Sequence, residues 1–307
     1  MSLPFFNLRN ILEQLSVLLF WIRSFFARYL ISSNFGRLEY WIYSHSYEKK
    51  TKDDLKSIWF PDRRGNYLYL NPHSFLDANI LLSGDYEKST QSFIEKNVKP
   101  GATCFDIGAN IGVMTLNFAK QVGEMGRVNA FEPHPDISKT LFNNIEKNKM
   151  ADRVKLFKYG LSNFTGLGNL YCMDKSKPNL GMSSLVSQNF PSLSQKMEIT
   201  IVTLDRFVKD YKIDKIDFIK VDIQGAEGLF IEGAKETLTR FSPCLLMEIS
   251  SEDLVQAGWS PILVFRQLYS LGYRNFSELD AKGNCQSPLD INLIPSNFNA
   301  STIVCRK

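Results

Sequence analysis

The pattern of apolar and polar positions divides the chain before any chemistry is considered. Residues 5–32 are rich in Leu, Ile, Phe and Trp, interrupted by Glu13, Arg23 and Arg28. No uncharged run reaches the roughly 18 residues that a membrane-spanning helix needs. Glu13 ahead of the apolar stretch and arginines behind it do not suit a cleaved leader. The expectation is an amphipathic helix with Arg9, Glu13, Arg23 and Arg28 on its polar side. Such a helix either lies on a membrane surface or packs on the rest of the chain or a second copy. Residues 46–66 are densely charged and read as a surface connection, and residues 67–71 as a short strand.

From there, short apolar runs alternate with helical periodicity. A helical pattern over 83–98 ends at Pro100-Gly101, and a buried strand follows over 104–107. This strand carries Asp106 and breaks into Gly108-Ala-Asn-Ile-Gly112, after which a helix starts at Val113. The next strand, 128–131, ends in Glu132. Pro133 opens a helix over 137–148, and a strand follows over 154–161. Extended runs at 167–173 and 199–204 suit partner strands, separated by a long polar stretch, 174–197, of the kind that forms lids or binding segments. Residues 218–222 and 245–248 are buried strands finishing on Asp222 and Glu248. A helix is predicted over 261–272, and 291–295 with 302–305 read as a closing hairpin at the sheet edge. The alternation predicts a doubly wound α/β fold, whose ligands gather beyond the carboxyl ends of the strands. The expected division is a helical extension over 1–60 and a catalytic domain over 61–307, with a cofactor half over 84–165 and a substrate-side half over 166–307.

That arrangement directs attention to the acids. A strand, a tight glycine turn and a helix start let a ligand approach the backbone closely. Glu132, one strand–helix–strand unit after Asp106, is placed to accept hydrogen bonds from ribose hydroxyls. The turn lacks the G-x-G-x-x-G spacing that cradles a pyrophosphate, and Asp106 would repel one. S-adenosylmethionine, which has no phosphate and carries a cationic sulfonium and ammonium, fits better than NAD or FAD. Candidate cofactor-binding residues are Asp106, Gly108, Asn110, Gly112, Glu132 and Pro133, with Tyr86 and Glu87 at the start of the preceding helix. Glu87 also reads as a favourable charge in that helix's first turn. His134, just past the ribose acid, is a candidate general base, but the loop there is expected to face the adenosine rather than the reacting methyl group.

Composition adds limits. Over 307 residues the hydrophobic share is 44% and the net charge is +4, with the basic residues scattered. This gives no footprint for nucleic acid. Five cysteines without a C-x-x-C pair point to a reducing, cytoplasmic setting, peripheral at most to a membrane, and to no structural zinc.

Several segments together resemble the FkbM family of S-adenosylmethionine-dependent methyltransferases. They are Asp-Tyr-Glu at 85–87, Asp-Ile-Gly-Ala-Asn-Ile-Gly at 106–112, Phe-Glu-Pro at 131–133 and Thr-Leu-Asp-Arg-Phe at 203–207. Ile-Lys-Val-Asp-Ile-Gln-Gly-Ala-Glu at 219–227 and Met-Glu-Ile at 247–249 complete the set. The resemblance covers roughly the last 220 residues and implies a Rossmann-like class I sheet of seven mostly parallel strands with the last antiparallel. It also implies O-methylation of a hydroxyl on a sugar, glycan or natural product. Gln224 departs from the family's usual glutamate. Asp222 is the candidate base or hydroxyl-orienting group, with Glu248 second. The rivals are a metal-assisted variant using Asp222 and Glu248, and a degenerate methyltransferase fold acting as a scaffold or membrane-associated binding module. An NAD-dependent oxidoreductase fits the sheet but not the turn.

Overall fold

The computed structural model describes residues 57–72, 74–173, 183–186 and 194–307; the expected amphipathic helix over 5–32 lies outside the described residues. The chain divides into two compact units, Met1–Tyr86 and Glu87–Lys307. In the first, strand β1 (Ile58–Pro61) pairs antiparallel with β2 (Tyr67–Leu70), so part of the expected polar connection is a strand. Buried Asp62 closes the intervening turn by accepting from the Arg64 and Asn66 N–H groups. Helix α1 (Phe75–Ser83) follows, with Ser74 as its N-cap.

In the second unit, β3 (Thr103–Ile107), β4 (Arg127–Phe131), β5 (Val154–Phe157), β10 (Phe218–Val221) and β11 (Cys244–Ile249) are parallel. With β12 (Asn275–Glu278) and β13 (Ala300–Arg306) they form a seven-stranded sheet in the order β12-β13-β11-β10-β3-β4-β5. The last strand, β13, runs antiparallel to both its neighbours. Helices α2 (Lys88–Asn97), α3 (Val113–Val122), α4 (Pro135–Lys147), α5 (Leu204–Asp210), α6 (Glu227–Glu232), α7 (Lys235–Phe241), α8 (Ser251–Gln256) and α9 (Pro261–Ser270) intervene. Strands covered on both faces read as continuous apolar runs, and Cys104, Phe105, Ile107, Ile219 and Val221 are all buried. Phe105, Phe131, Phe157 and Phe207 stack and cross edge to face, locking β3, β4 and β5 against α5.

A second sheet, in the order β6-β9-β7-β8, is built from β6 (Tyr159–Leu161), β7 (Gly166–Met173), β8 (Ser183–Ser184) and β9 (Ser194–Val202). Leu170, Cys172, Ile199 and Ile201 form its small apolar core.

Four further sequence expectations change. The single strand over 154–161 is two, because the chain leaves the large sheet at Lys158 and enters the small one. The polar stretch 174–197 contains β8 and the first residues of β9. The helix after Glu132 opens at Pro135, not Pro133, because the His134 side chain accepts from the Asp136 N–H and caps it. The closing hairpin does not form as expected. Residues Ile291–Leu293 make a 3-10 turn, closed by Asp290 accepting from the Asn292 N–H, and β13 pairs with β12 and β11 inside the sheet.

Candidate active site

The carboxyl ends of β4, β3, β10 and β11 lie side by side, and the predicted acids sit on them. Gly108 and Gly112 have φ of +78° and +96°, values that L side chains rarely adopt. Their close packing gives a second reason for glycine. A Cβ at Gly108 would fall 1.9 Å from the Asp222 carbonyl oxygen, and one at Gly112 would fall 2.3 Å from Leu141 Cδ1. Every N–H of the turn is already used internally. Gly108 and Ala109 donate to the Phe131 carbonyl, Asn110 to Glu132 Oε2, Ile111 to Asn110 Oδ1 and Gly112 to the Ala109 carbonyl. Glu132 Oε1 accepts from the His134 N–H at 2.9 Å, so this carboxylate ties the turn to the start of α4. Burial pushes Glu132 up to about 7 despite these two bonds.

Beside the turn is a charged cluster around a lysine that the sequence offers only as one letter of a motif. Lys220 is buried, in register with Asp106 across the β10–β3 ladder, and its Nζ donates to Asp222 Oδ2 at 3.0 Å. Burial alone would lower its pKa, but the charges of Asp222, Glu87 and Asp106 hold it well above the ordinary lysine value. Burial works against the Asp222 carboxylate too, yet Lys220 and hydrogen bonds from Glu248, Lys220 and Gln224 keep it below the usual range. Glu248 shows the opposite outcome: burial and the neighbouring Asp222 charge push it up to about 10. The two opposite directions favour the charge on Asp222 and the proton on Glu248.

Asp106 is buried and accepts from Thr115 Oγ1 at 2.5 Å through Oδ2, while its Oδ1 has no hydrogen-bond partner among the described residues. Burial raises its pKa and Lys220 opposes the rise. Burial likewise raises Glu87, which faces Lys220 and caps α2 with φ of +42°. Glu87, Asn110 and Gln224 are non-glycine residues in the left-handed region, and all three lie at this site; such backbone clusters where function constrains the chain. Glu227, buried behind the β10–α6 turn, accepts from the Ile223 and Gly225 N–H groups and is pushed up to about 7 by burial.

The structure thus brings Glu87, Asp106, Asp222 and Glu248 around Lys220, with Glu132 and the glycine turn alongside. Pro133 is half-buried after Glu132 and opens no helix, and His134 is a cap. Tyr86 belongs to the first unit, where its N–H donates to Asp85 Oδ1. Thr115, Lys220, Ser184 and Glu227 were missed as site residues. Only Lys220 carried a signal, a lone cation inside an otherwise apolar strand. Among the described residues, no three His, Cys, Asp or Glu side chains are placed to hold one metal ion.

A parallel sheet with one inserted antiparallel strand, and acids at the carboxyl ends beside a glycine turn, define the class I methyltransferase fold. The sequence model described as Methyltransferase FkbM domain matches residues 106–274, and the chain belongs to that family. It is 28% identical over 168 residues to the 2-O-methyltransferase NoeI of Sinorhizobium fredii (strain NBRC 101917 / NGR234), covering 52% of this chain and 67% of NoeI. It is also 28% identical over 159 residues to the methyltransferase sdnD of Sordaria araneosa, covering 43% of this chain and 60% of sdnD. The crystal structure of methyltransferase FkbM from Methylobacillus flagellatus KT superposes with a TM-score of 0.45 and 17% identity. That alignment covers 75% of this chain and 52% of that one. At that score the fold assignment rests on the strand order instead.

Proposed function

We propose that the protein transfers a methyl group from S-adenosylmethionine to a hydroxyl oxygen of a sugar, glycan or natural product. The carrying observation is Asp222: a carboxylate beside the glycine turn whose Oδ2 accepts from buried Lys220 at 3.0 Å and whose Oδ1 accepts from Gln224 at 3.0 Å.

The residues present suit this donor. Asp106 Oδ1 is a buried carboxylate oxygen without a partner among the described residues, which suits a cationic ammonium. Because the glycine turn has already used its own N–H groups, it offers no nest for a phosphate, as befits a phosphate-free donor. Glu132 has acceptor capacity left on both oxygens for ribose hydroxyls. Asp106, Glu132 and the turn would hold the donor, with Glu87 near its amino-acid end. S-adenosylmethionine supplies a methyl carbon already activated by its sulfonium, so the reaction is an in-line displacement.

The chain's contribution is then orientation and the proton. Holding reactants in line is worth on the order of 7–11 kcal/mol. Asp222 accepts a hydrogen bond from the acceptor hydroxyl and takes its proton as the oxygen–carbon bond forms and the sulfur–carbon bond breaks. The protonated ether is a far stronger acid than a carboxylic acid, so a carboxylate held below its usual range still accepts that proton. Lys220 keeps Asp222 ionised and aimed before the transfer.

The test is incubation of the full chain with trideuteromethyl-labelled S-adenosylmethionine and methyl glycosides carrying free hydroxyls, alongside a small-molecule extract. Mass spectrometry should find a product heavier by one labelled methyl group, absent with Asp222→Asn. Donor binding by calorimetry without any methylated product from either source would point to the scaffold reading. A methyl group on nitrogen or carbon would remove the hydroxyl assignment.

A further inference from the structure

The turn after β10 joins the candidate base to the second sheet. Gln224 follows Asp222 by two residues, with φ of +51°. This conformation turns its side chain back toward β10, and its Nε2 donates to Asp222 Oδ1 at 3.0 Å. Lys220 Nζ holds the other oxygen, Oδ2, so the carboxylate is gripped from both sides. The carbonyl of the same Gln224 accepts from Ser184 Oγ at 2.8 Å. Ser184, buried in the two-residue strand β8, has its hydroxyl oxygen fixed in turn by the Val186 N–H at 3.0 Å. Below the turn, Glu227 clamps the Ile223 and Gly225 N–H groups.

We propose that Gln224 is a positioning residue for Asp222, and that Ser184 anchors it, so that the β6–β9 sheet sets the aim of the candidate base. The chain of bonds runs from Ser184 through the Gln224 carbonyl and side-chain amide to Asp222. It gives a reason for glutamine where the resemblance leads one to expect glutamate. Among the described residues, Asp222 already interacts with the carboxyl groups of Glu87, Asp106, Glu132, Glu227 and Glu248, with Lys220 as the cation beside it. A further carboxylate at 224 would repel Asp222, whereas an amide N–H stabilises its charged form. The proposal deepens the methyl-transfer reading and rests on it for the role of Asp222.

The test needs neither an acceptor nor turnover, so its failure is separate from failure of the methyl-transfer reading. Infrared titration of the full chain follows the carboxyl C=O band that disappears in Asp222→Asn. Gln224→Met keeps the side-chain length and removes the donor. It should move the Asp222 titration upward by about 1–2 pH units, the effect of losing one hydrogen bond to a charged group. Gln224→Glu should move it further and add one proton to the cluster. Ser184→Ala should shift it in the same direction by a smaller amount, and Ser184→Thr should restore it. An unmoved Asp222 band in both folded Gln224 variants overturns the positioning role. A shift in the Gln224 variants with none in Ser184→Ala overturns the link to the second sheet. Circular dichroism of each variant separates these outcomes from simple misfolding.

Discussion

Replacing Lys220 with methionine tests the electrostatic core of the site most directly. The side chain is 7% exposed and its ammonium lies 3.0 Å from Asp222 Oδ2, with Glu87 and Asp106 also attracting it. Methionine fills nearly the same volume, so the lost term is charge rather than packing. Breaking a buried ion pair from one side typically costs about 3–5 kcal/mol, because a charge is left without compensation. At neutral pH the Lys220→Met protein should lose that amount.

The loss should also depend on pH in a definite direction. In the wild type, Lys220 holds Asp222 below its unfolded value, so the pair contributes stability above that value and loses it as pH falls through the folded one. Without the ammonium, burial dominates and the Asp222 pKa rises above its unfolded value. The folded variant then binds more protons than the unfolded chain, and its stability falls as pH increases. The gap between the two proteins should therefore widen by up to about 1.4 kcal/mol per pH unit above the ordinary carboxylate range. Urea unfolding followed by circular dichroism at pH 5 and pH 8 reads both quantities. Adding Asp222→Asn to Lys220→Met should recover much of the loss, since removing both partners of a buried pair costs far less than removing one. A cost below about 1 kcal/mol at both pH values would refute the reasoning, since about 3 kcal/mol is the least a broken buried pair should show.

Three further outcomes are expected. If ribose hydroxyls bind the ionised form of Glu132, whose ligand-free pKa is pushed up to about 7, affinity for S-adenosylmethionine should be about tenfold weaker at pH 6 than at pH 8. Calorimetry across that range should find the dependence flattened in Glu132→Gln, and a pH-independent wild type would contradict the assignment. Gly108→Ala places a methyl group 1.9 Å from the Asp222 carbonyl at φ of +78°, so a loss of more than about 2 kcal/mol is expected in thermal melting; wild-type stability would mean that the β3 and β10 ends separate freely. The Lys220 ammonium already sits against Asp222, and burial pushes Glu248 up to about 10, both of which disfavour a second cation there, so methyl transfer should survive excess EDTA, and a loss reversed by Mg²⁺ would show that the carboxylates serve a metal.

What the sequence could announce was periodicity and punctuation, and what it could not announce was who lies beside whom. Apolar runs ending in Glu132, Asp222 and Glu248 are visible in one dimension, because buried parallel strands have no polar face and their ends carry the chemistry. The pairing of these acids depends on strand order. Asp222 and Glu248 perturb each other because β10 and β11 are neighbours, and Lys220 meets Asp106 because β10 also neighbours β3. No local pattern encodes that register. The closing strands make the same point, since β13 inserts between β11 and β12. A run that ends the chain is naturally read as an edge hairpin until its actual partners are known. Ser184 was the least legible of all: a serine in a polar stretch gains its role only through a carbonyl 40 residues away. His134 shows the reverse hazard, a chemically versatile side chain whose position at a helix start makes it a cap. The legible part of the site is thus the part made by strand ends, and the hidden part is the set of cross-strand bonds that decide which carboxyl group keeps its proton. Asp222 and Glu248 are both acids at the ends of neighbouring strands, and the hydrogen bonds from Lys220 and Gln224 set Asp222 apart. In the proposed reaction that difference selects Asp222 over Glu248, which is why perturbing Lys220 or Gln224 probes the proposed assignment more sharply than deleting either acid.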